Sequence, residues 1–295
     1  MADYIVSCCS AADVSPEWMQ KRDLRYICFS FFLNDTEYKD DLWVTMRPED
    51  MYRRMLAGEV SKTSQISVVD YVEHFRKLIN EEDKDILHVT LSSGITGTYN
   101  AAVLAAKQVE DEFPKRKIVV IDSLAASAGY GLLMDYIADK RDEGWTLPQL
   151  AAWTEENKLH IVHWFFSTDL TFYIRGGRVS KASGYIGMAL SICPLLNVDY
   201  KGRLIPREKI RTKKKVMKRQ LEKMIEQAEN GLDYDGKCFI SQSDPEAGEE
   251  FRRMVEDTFP KLKGKVQLFP IGATVGAHTG PGTVALFFWG KKRED

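Results

Sequence analysis

The residues of this 295-residue chain best suited to holding an anion are Ser92, Ser93 and Gly94, in the stretch LSSGITGTYN over residues 91–100. A Ser-Ser-Gly turn between a strand and a helix offers free backbone N–H groups, hydroxyls and a positive dipole end, which together suit one small anion. The same serines would serve as a helix cap, with Gly94 and Gly97 allowing the turn. A second candidate is AHTGPG, residues 277–282, where a Gly-Pro-Gly loop would present the imidazole of His278 and the hydroxyl of Thr279 to a carboxylate. Arg178, after a glycine pair, and Arg211, in an Arg-Thr step leading into a helix, have contexts that could aim a guanidinium inward. Lys213, Lys214 and Lys215 read as a solvated helix face.

Other chemistries lack their residues. A nucleotide phosphate loop needs GxxxxGK[ST], and the loop at Ser93 has no lysine; the dinucleotide fingerprint GxGxxG follows no strand. Ser93 also lacks the GxSxG elbow of a serine hydrolase. The five cysteines, Cys8, Cys9, Cys28, Cys193 and Cys238, form no CxxC pair and read as reduced thiols, mostly buried. His160 and His163 lie in a strand-like run, where an i, i+3 pair faces opposite ways, so no metal site is expected.

The elements around these residues fall into two groups. Residues 4–9 and 25–33 read as strands and residues 47–58 as a helix. Ser67 with Asp70 makes a capping box for a helix whose apolar stripe is Tyr71, Val72, Phe75, Leu78 and Ile79. Strands over residues 86–91 and 117–122 alternate with helices through about residue 112 and over residues 124–143, which implies a parallel sheet covered by helices. From about Leu159 the texture changes to strand-like runs separated by glycine turns, including YIRGGRVS, a hairpin about Asp199 and Gly202, and TVALFFWGKK. A basic helix is expected from Thr212 to Gly231. The expected fold is α/β with two domains: an N-terminal parallel-sheet domain over residues 1–158 and a C-terminal mixed-sheet domain over residues 159–295.

Composition narrows the function classes. Apolar residues are 44% and charged residues 28%, the mix of a globular chain. Lysine plus arginine number 41 against 43 acidic residues, so the net charge of -2 supplies no field for nucleic acid. No apolar run reaches the ~18 residues of a membrane span, and MADYIVSCCS has no signal-peptide pattern, so a cytoplasmic protein is expected.

Seven motifs in order carry a resemblance: TSQ (63–65), SSGITGTYNAA (92–102), IDS (121–123), RGGRVS (175–180), CPLLNVDYKGRLIP (193–206), RTKKK (211–215) and IGATVGAHTGPG (271–282). Together they resemble the DegV family of bacterial fatty-acid-binding proteins along nearly the whole chain. The resemblance implies two α/β domains with a long-chain fatty acid in a tunnel between them. It also implies a carrier, not catalytic alone, that presents the acyl carboxylate to a separate ATP-dependent fatty acid kinase subunit. By similarity Thr63, Ser93, His278 and Arg211 hold the carboxylate, while Ser64, Ser92, Gly94, Thr96, Thr279 and Gly280 line the site. No cofactor is implied beyond the lipid, and contact with membranes would be transient and at the surface. The sequence departs from the family at Ser7-Cys8-Cys9-Ser10, where an Asp-Ser pair is usual, and at Ile66, where proline is common. The competing reading is a serine-type lipid or ester hydrolase using Ser93 and His278.

Overall fold

A computed structural model describes residues 2–180 and 192–294. The apolar run β1 (Tyr4–Cys9) is buried along its whole length, as a strand covered on both faces must be. Helix α1 (Pro16–Lys21), capped by the Ser15 side chain, leads to β2 (Arg25–Ile27). The expected single strand over residues 25–33 is in fact two. Beyond Ile27 the Phe29 N–H donates to Ser10 Oγ (3.1 Å) and the Phe29 carbonyl accepts from Asp40 (2.9 Å), which takes the chain out of the first sheet. It then enters a separate antiparallel sheet of β3 (Ser30–Leu33), β4 (Thr36–Lys39) and β5 (Ser61–Ser64), ordered β4-β3-β5, with α2 (Pro48–Leu56) inserted before β5.

Helix α3 (Val68–Glu82) starts at the expected capping box of Ser67 and Asp70, and its buried residues are Tyr71, Val72, Phe75, Leu78 and Ile79. It feeds β6 (Asp85–Thr90), then α4 (Thr98–Glu112) and β7 (Ile118–Asp122). The four-stranded parallel sheet is ordered β2-β1-β6-β7. Helix α5 (Ser127–Asp142) begins three residues later than the sequence suggests, because Ser123 Oγ accepts the Ala125 N–H and Leu124 takes a left-handed conformation (φ 49°). Helix α6 (Leu147–Asn157) closes this half.

The second half supplies β8 (Ile161–Ser167), α7 (Thr171–Arg175), β9 (Ile192–Val198), β10 (Leu204–Arg211), α8 (Lys213–Gln227), β11 (Cys238–Gln242), α9 (Pro245–Thr258), β12 (Gln267–Pro270), α10 (Ala273–Thr279) and β13 (Thr283–Trp289). Its six strands run β10-β9-β8-β13-β11-β12, and only β11 and β12 pair in parallel. Two expectations are corrected here. YIRGGRVS is no strand: it spans the end of α7 and the turn after it, where Gly177 has φ 73°. His278 lies in the last turn of α10, not in a loop.

Strand alternation divides this sheet between two cores. Val284, Leu286 and Phe288 pack with Phe166 and Leu195 against Val216 and Met217 of α8 and Phe251 of α9. Their neighbours Ala285, Phe287, Phe165 and Leu196 face the other way and join the core of the parallel sheet, together with α5. All five cysteines are free, and all but Cys28 are buried. Among the described residues no helix is long and apolar enough to cross a membrane.

Candidate functional site

Where the parallel strands meet the inner face of the six-stranded sheet lies a cavity of about 380 Å³, within the range of small-molecule sites. Leu91, Ile95, Thr96 and Ala126, from the turns after β6 and β7, form one wall, so the cavity lies beyond the carboxyl ends of parallel strands, where open α/β folds take ligands. Phe165, Ala285 and Phe287 contribute the inner face of the mixed sheet. The polar lining residues include Thr63 and Ser64 of β5, Gln65 after it, Arg178 after α7, and His278 and Thr279 of α10.

Thr63 Oγ1 and His278 Nε2 are 2.7 Å apart, although 215 residues separate them in the chain. Local chemistry holds each in position. Thr63 pairs with Phe31 in the three-stranded sheet, and the neighbouring Ser61 hydroxyl donates to the Ala277 carbonyl of α10 at 2.6 Å. The buried Asp40 carboxylate accepts the N–H groups of Ala273 (3.3 Å) and Thr274 (3.1 Å), anchoring the helix at its start. The turn after α7 covers the imidazole closely: a Cβ on Gly176 would lie 2.3 Å from His278 Nδ1, so only glycine fits there.

Burial, and then the charge of Arg178, push the His278 pKa down to about 3, so the ring is neutral at ordinary pH. Arg178 supplies the cation. Its Nη1 donates to the Gly176 carbonyl at 2.7 Å, and burial lowers its pKa without making a guanidinium neutral near pH 7. His278 Nδ1, Thr279 Oγ1 and Arg178 Nε are buried and have no protein partner. Buried polar atoms are rarely left so, and three of them at one cavity fit a polar ligand group.

The residues singled out in the sequence divide sharply. Thr63, Ser64, Thr96, His278 and Thr279 line the cavity. Ser93 is exposed and outside the lining; its backbone N–H donates to Asp122 at 3.0 Å, and its hydroxyl makes no hydrogen bond to His278. Ser92 is buried as a structural link, donating to the Gly202 carbonyl at 2.8 Å and accepting the Gly94 N–H at 3.1 Å. Gly94 allows close packing on that same hairpin, since a Cβ there would lie 2.4 Å from the Lys201 carbonyl. Gly280 ends α10 at φ 66°, pressed on the Phe172 ring. Arg211 is exposed at the far end of β10. From Leu204, which lines the cavity, it is seven strand residues away, roughly 20 Å. Its place beside the imidazole is taken by Arg178.

The sequence reading passed over Gln65, Tyr173 and the inward row of β8 and β13. The runs that hold Phe165, Ala285 and Phe287 are apolar at successive positions, so nothing in them marks which residues face the cavity. Among the described residues no three His, Cys, Asp or Glu side chains cluster in a way that could hold a metal ion.

Comparison with known proteins adds to this geometry. Residues 8–291 match the family model described as "Uncharacterised protein, DegV family COG1307". A Thermotoga maritima protein named fatty acid-binding protein is 32% identical over 284 residues, 94% of each chain. A crystal structure of a DegV lipid binding protein, also from Thermotoga maritima, superposes with a TM-score of 0.83 at 28% identity over the whole of both chains. The Streptococcus pneumoniae Fatty Acid Kinase (Fak) B3 protein, loaded with linoleic acid, shares the fold with a TM-score of 0.82 at 20% identity, covering 98% of this chain and 99% of that one.

Proposed function

This chain belongs to the DegV family, and from that premise we propose that it binds a long-chain fatty acid, the tail in the cavity and the carboxylate at Thr63, His278 and Arg178. The observation that carries the reading is the division of the cavity: unpartnered hydrogen-bonding atoms and one guanidinium gather around His278, while the remaining wall is mostly aliphatic and aromatic. A carboxylate buried without donors would be protonated or expelled. A neutral imidazole, a threonine hydroxyl and a cation supply what it needs. The tail dominates affinity, since about 16 carbons at ~0.8 kcal/mol per methylene gain on the order of 10 kcal/mol gross, before the costs of association.

The chain acts as a cytoplasmic carrier that takes no catalytic step by itself. It presents the carboxylate to a separate ATP-dependent fatty acid kinase subunit, where a carboxylate oxygen attacks the γ-phosphorus, ADP leaves, and an acyl-phosphate results. The absence of a lysine-bearing phosphate loop in the sequence supports this division of labour.

Denaturing extraction of the purified protein followed by mass spectrometry tests the binding reading, with free C14 to C18 fatty acid expected at stoichiometric amounts. Added fatty acid should also raise the melting temperature of delipidated protein by mass action. No extracted lipid and no thermal shift would overturn it. Calorimetry with ATP and Mg2+ tests the carrier role: micromolar binding by this chain alone would count against it. So would turnover of an aryl ester that Ser93→Ala abolishes.

A further inference from the structure

The apolar end of the cavity is closed by one row of side chains across three strands. Phe287 pairs with His163 in the β13–β8 ladder. Asn197 pairs with Trp164, which sets Val198, one residue further along β9, beside His163. Alternation turns all three toward the same face as Ala285, Phe165 and Leu196 in the row above, and Phe287, His163 and Val198 all line the cavity. From Thr283, on the side of His278, to Phe287 the inner face of β13 runs about 13 Å at the strand pitch.

At this row β8 and β9 part. The β8–β9 ladder pairs residues only between Trp164 and Phe166. Next to its end opens a second cavity of about 510 Å³, lined by Trp164, Asn197, Arg207, Gln227 and Lys291 and also by His163 and Val198. Those two residues are the ones common to both cavities, so they stand between the two.

His163 is fixed there. Its Nδ1–H donates to the Ile161 carbonyl at 2.8 Å, and its Nε2 accepts the Ala126 N–H at 3.3 Å. With both nitrogens engaged by backbone, the ring offers carbon to the cavity, and it packs edge-on to Phe287 with centroids 5.2 Å apart. Helix α5 presses on it from behind: a Cβ on Gly129 would lie 2.4 Å from His163 Nε2 and 2.5 Å from the Phe287 ring.

We propose that His163 and Val198 are the end stop that sets the longest acyl chain this protein accepts, a specificity role that rests on the fatty-acid reading above. A tail that fits leaves its methyl terminus against this row. A longer one must break the partition or leave methylenes outside.

The test offers delipidated full-length protein an equimolar mixture of saturated fatty acids from C12 to C22 and quantifies what is retained, for the wild type, Val198→Ala, His163→Ala and Ala285→Leu. The wild type should show a fall in retention beyond one chain length. Val198→Ala should move that fall one or two methylenes longer, with relative retention of the longer acids rising about fourfold per methylene admitted. His163→Ala should move it further, and Ala285→Leu should move it shorter. An unmoved profile in folded Val198→Ala overturns the end stop whatever happens to His163→Ala, which also loses the bond to Ala126. A wild type that retains no fatty acid overturns the binding reading itself, and this inference with it; retention with an unmoved profile overturns the end stop alone.

Discussion

Thr63 and His278 meet through one hydrogen bond at the polar end of the cavity, so their replacement separates site from scaffold. Thr63→Val keeps the shape of a β-branched strand residue and removes the hydroxyl. Fatty-acid affinity should fall about tenfold or more, the loss of one hydrogen bond to a charged group. Ser93→Ala, at an exposed position outside the lining, should leave affinity within about twofold, and titration of both variants with one fatty acid checks the contrast. The His278 ring also sets a pH dependence. Its folded pKa of about 3 lies below the 6.5 of an unperturbed histidine, so between those values the unfolded chain binds more protons than the native one. Stability therefore rises with pH through this window, is complete above about 6.5, and is lost as pH falls toward 3. His278→Gln should flatten the slope of melting temperature against pH between about 4 and 6.5. Part of the slope should survive, because burial also pushes His74 down to about 4. An unchanged slope would count against a neutral buried His278.

At the scale of elements, α5 is the piece on which the cavity leans. Ala128, Tyr130, Leu132, Leu133 and Met134 are fully buried, and the helix can approach the mixed sheet this closely because residue 129 has no side chain. A methyl group there would sit 2.4 Å from His163 and 2.5 Å from Phe287, closer than packed atoms tolerate. Gly129→Ala should therefore lower stability by about 1–3 kcal/mol through overpacking, despite alanine's better helix propensity. If the variant melts at or above the wild-type temperature, α5 does not press on this row as described.

The molecule as a whole is tied together by the outer face of the same helix. Asp135 is ion-paired with Arg22 Nε at 2.8 Å and with Lys237 Nζ at 2.5 Å, and Asp139 with the same two side chains at 2.5 Å each. Arg22 follows α1 and Lys237 precedes β11, so two carboxylates on one helix clamp segments from the two halves of the chain. Asp135 is buried and the other three groups are partly exposed, which places the network between exposed pairs and fully buried ones. Asp135→Asn should cost about 1–3 kcal/mol, and the difference from wild type should shrink in high salt. Urea melts at low and high ionic strength measure both, and a difference indifferent to salt would mean that the clamp is not electrostatic.

The sequence by itself determined the features governed by near neighbours, and through the order of its motifs it pointed to the family. The Ser67–Asp70 cap, the apolar stripe of α3, the alternation of strands and helices from α3 to β7 and the hairpin at Asp199 were legible, because an i, i+3 bond or a period of 2 or 3.6 is a property of a short stretch. Tertiary structure decided which side chains share a wall. Ser93 and Thr96 lie three residues apart in one turn, and only the close packing of Ser92 and Gly94 on the Gly202 hairpin leaves Thr96 lining the cavity and Ser93 in solvent. Arg178 and Arg211 looked alike as cations beside turns, yet an edge strand carries one away while the turn after α7 brings the other to His278. The His163, Phe287 and Val198 row comes from three strands scattered over the chain. Its members adjoin only once the sheet has chosen its order and register, which the burial of the whole core selects and no single stretch encodes.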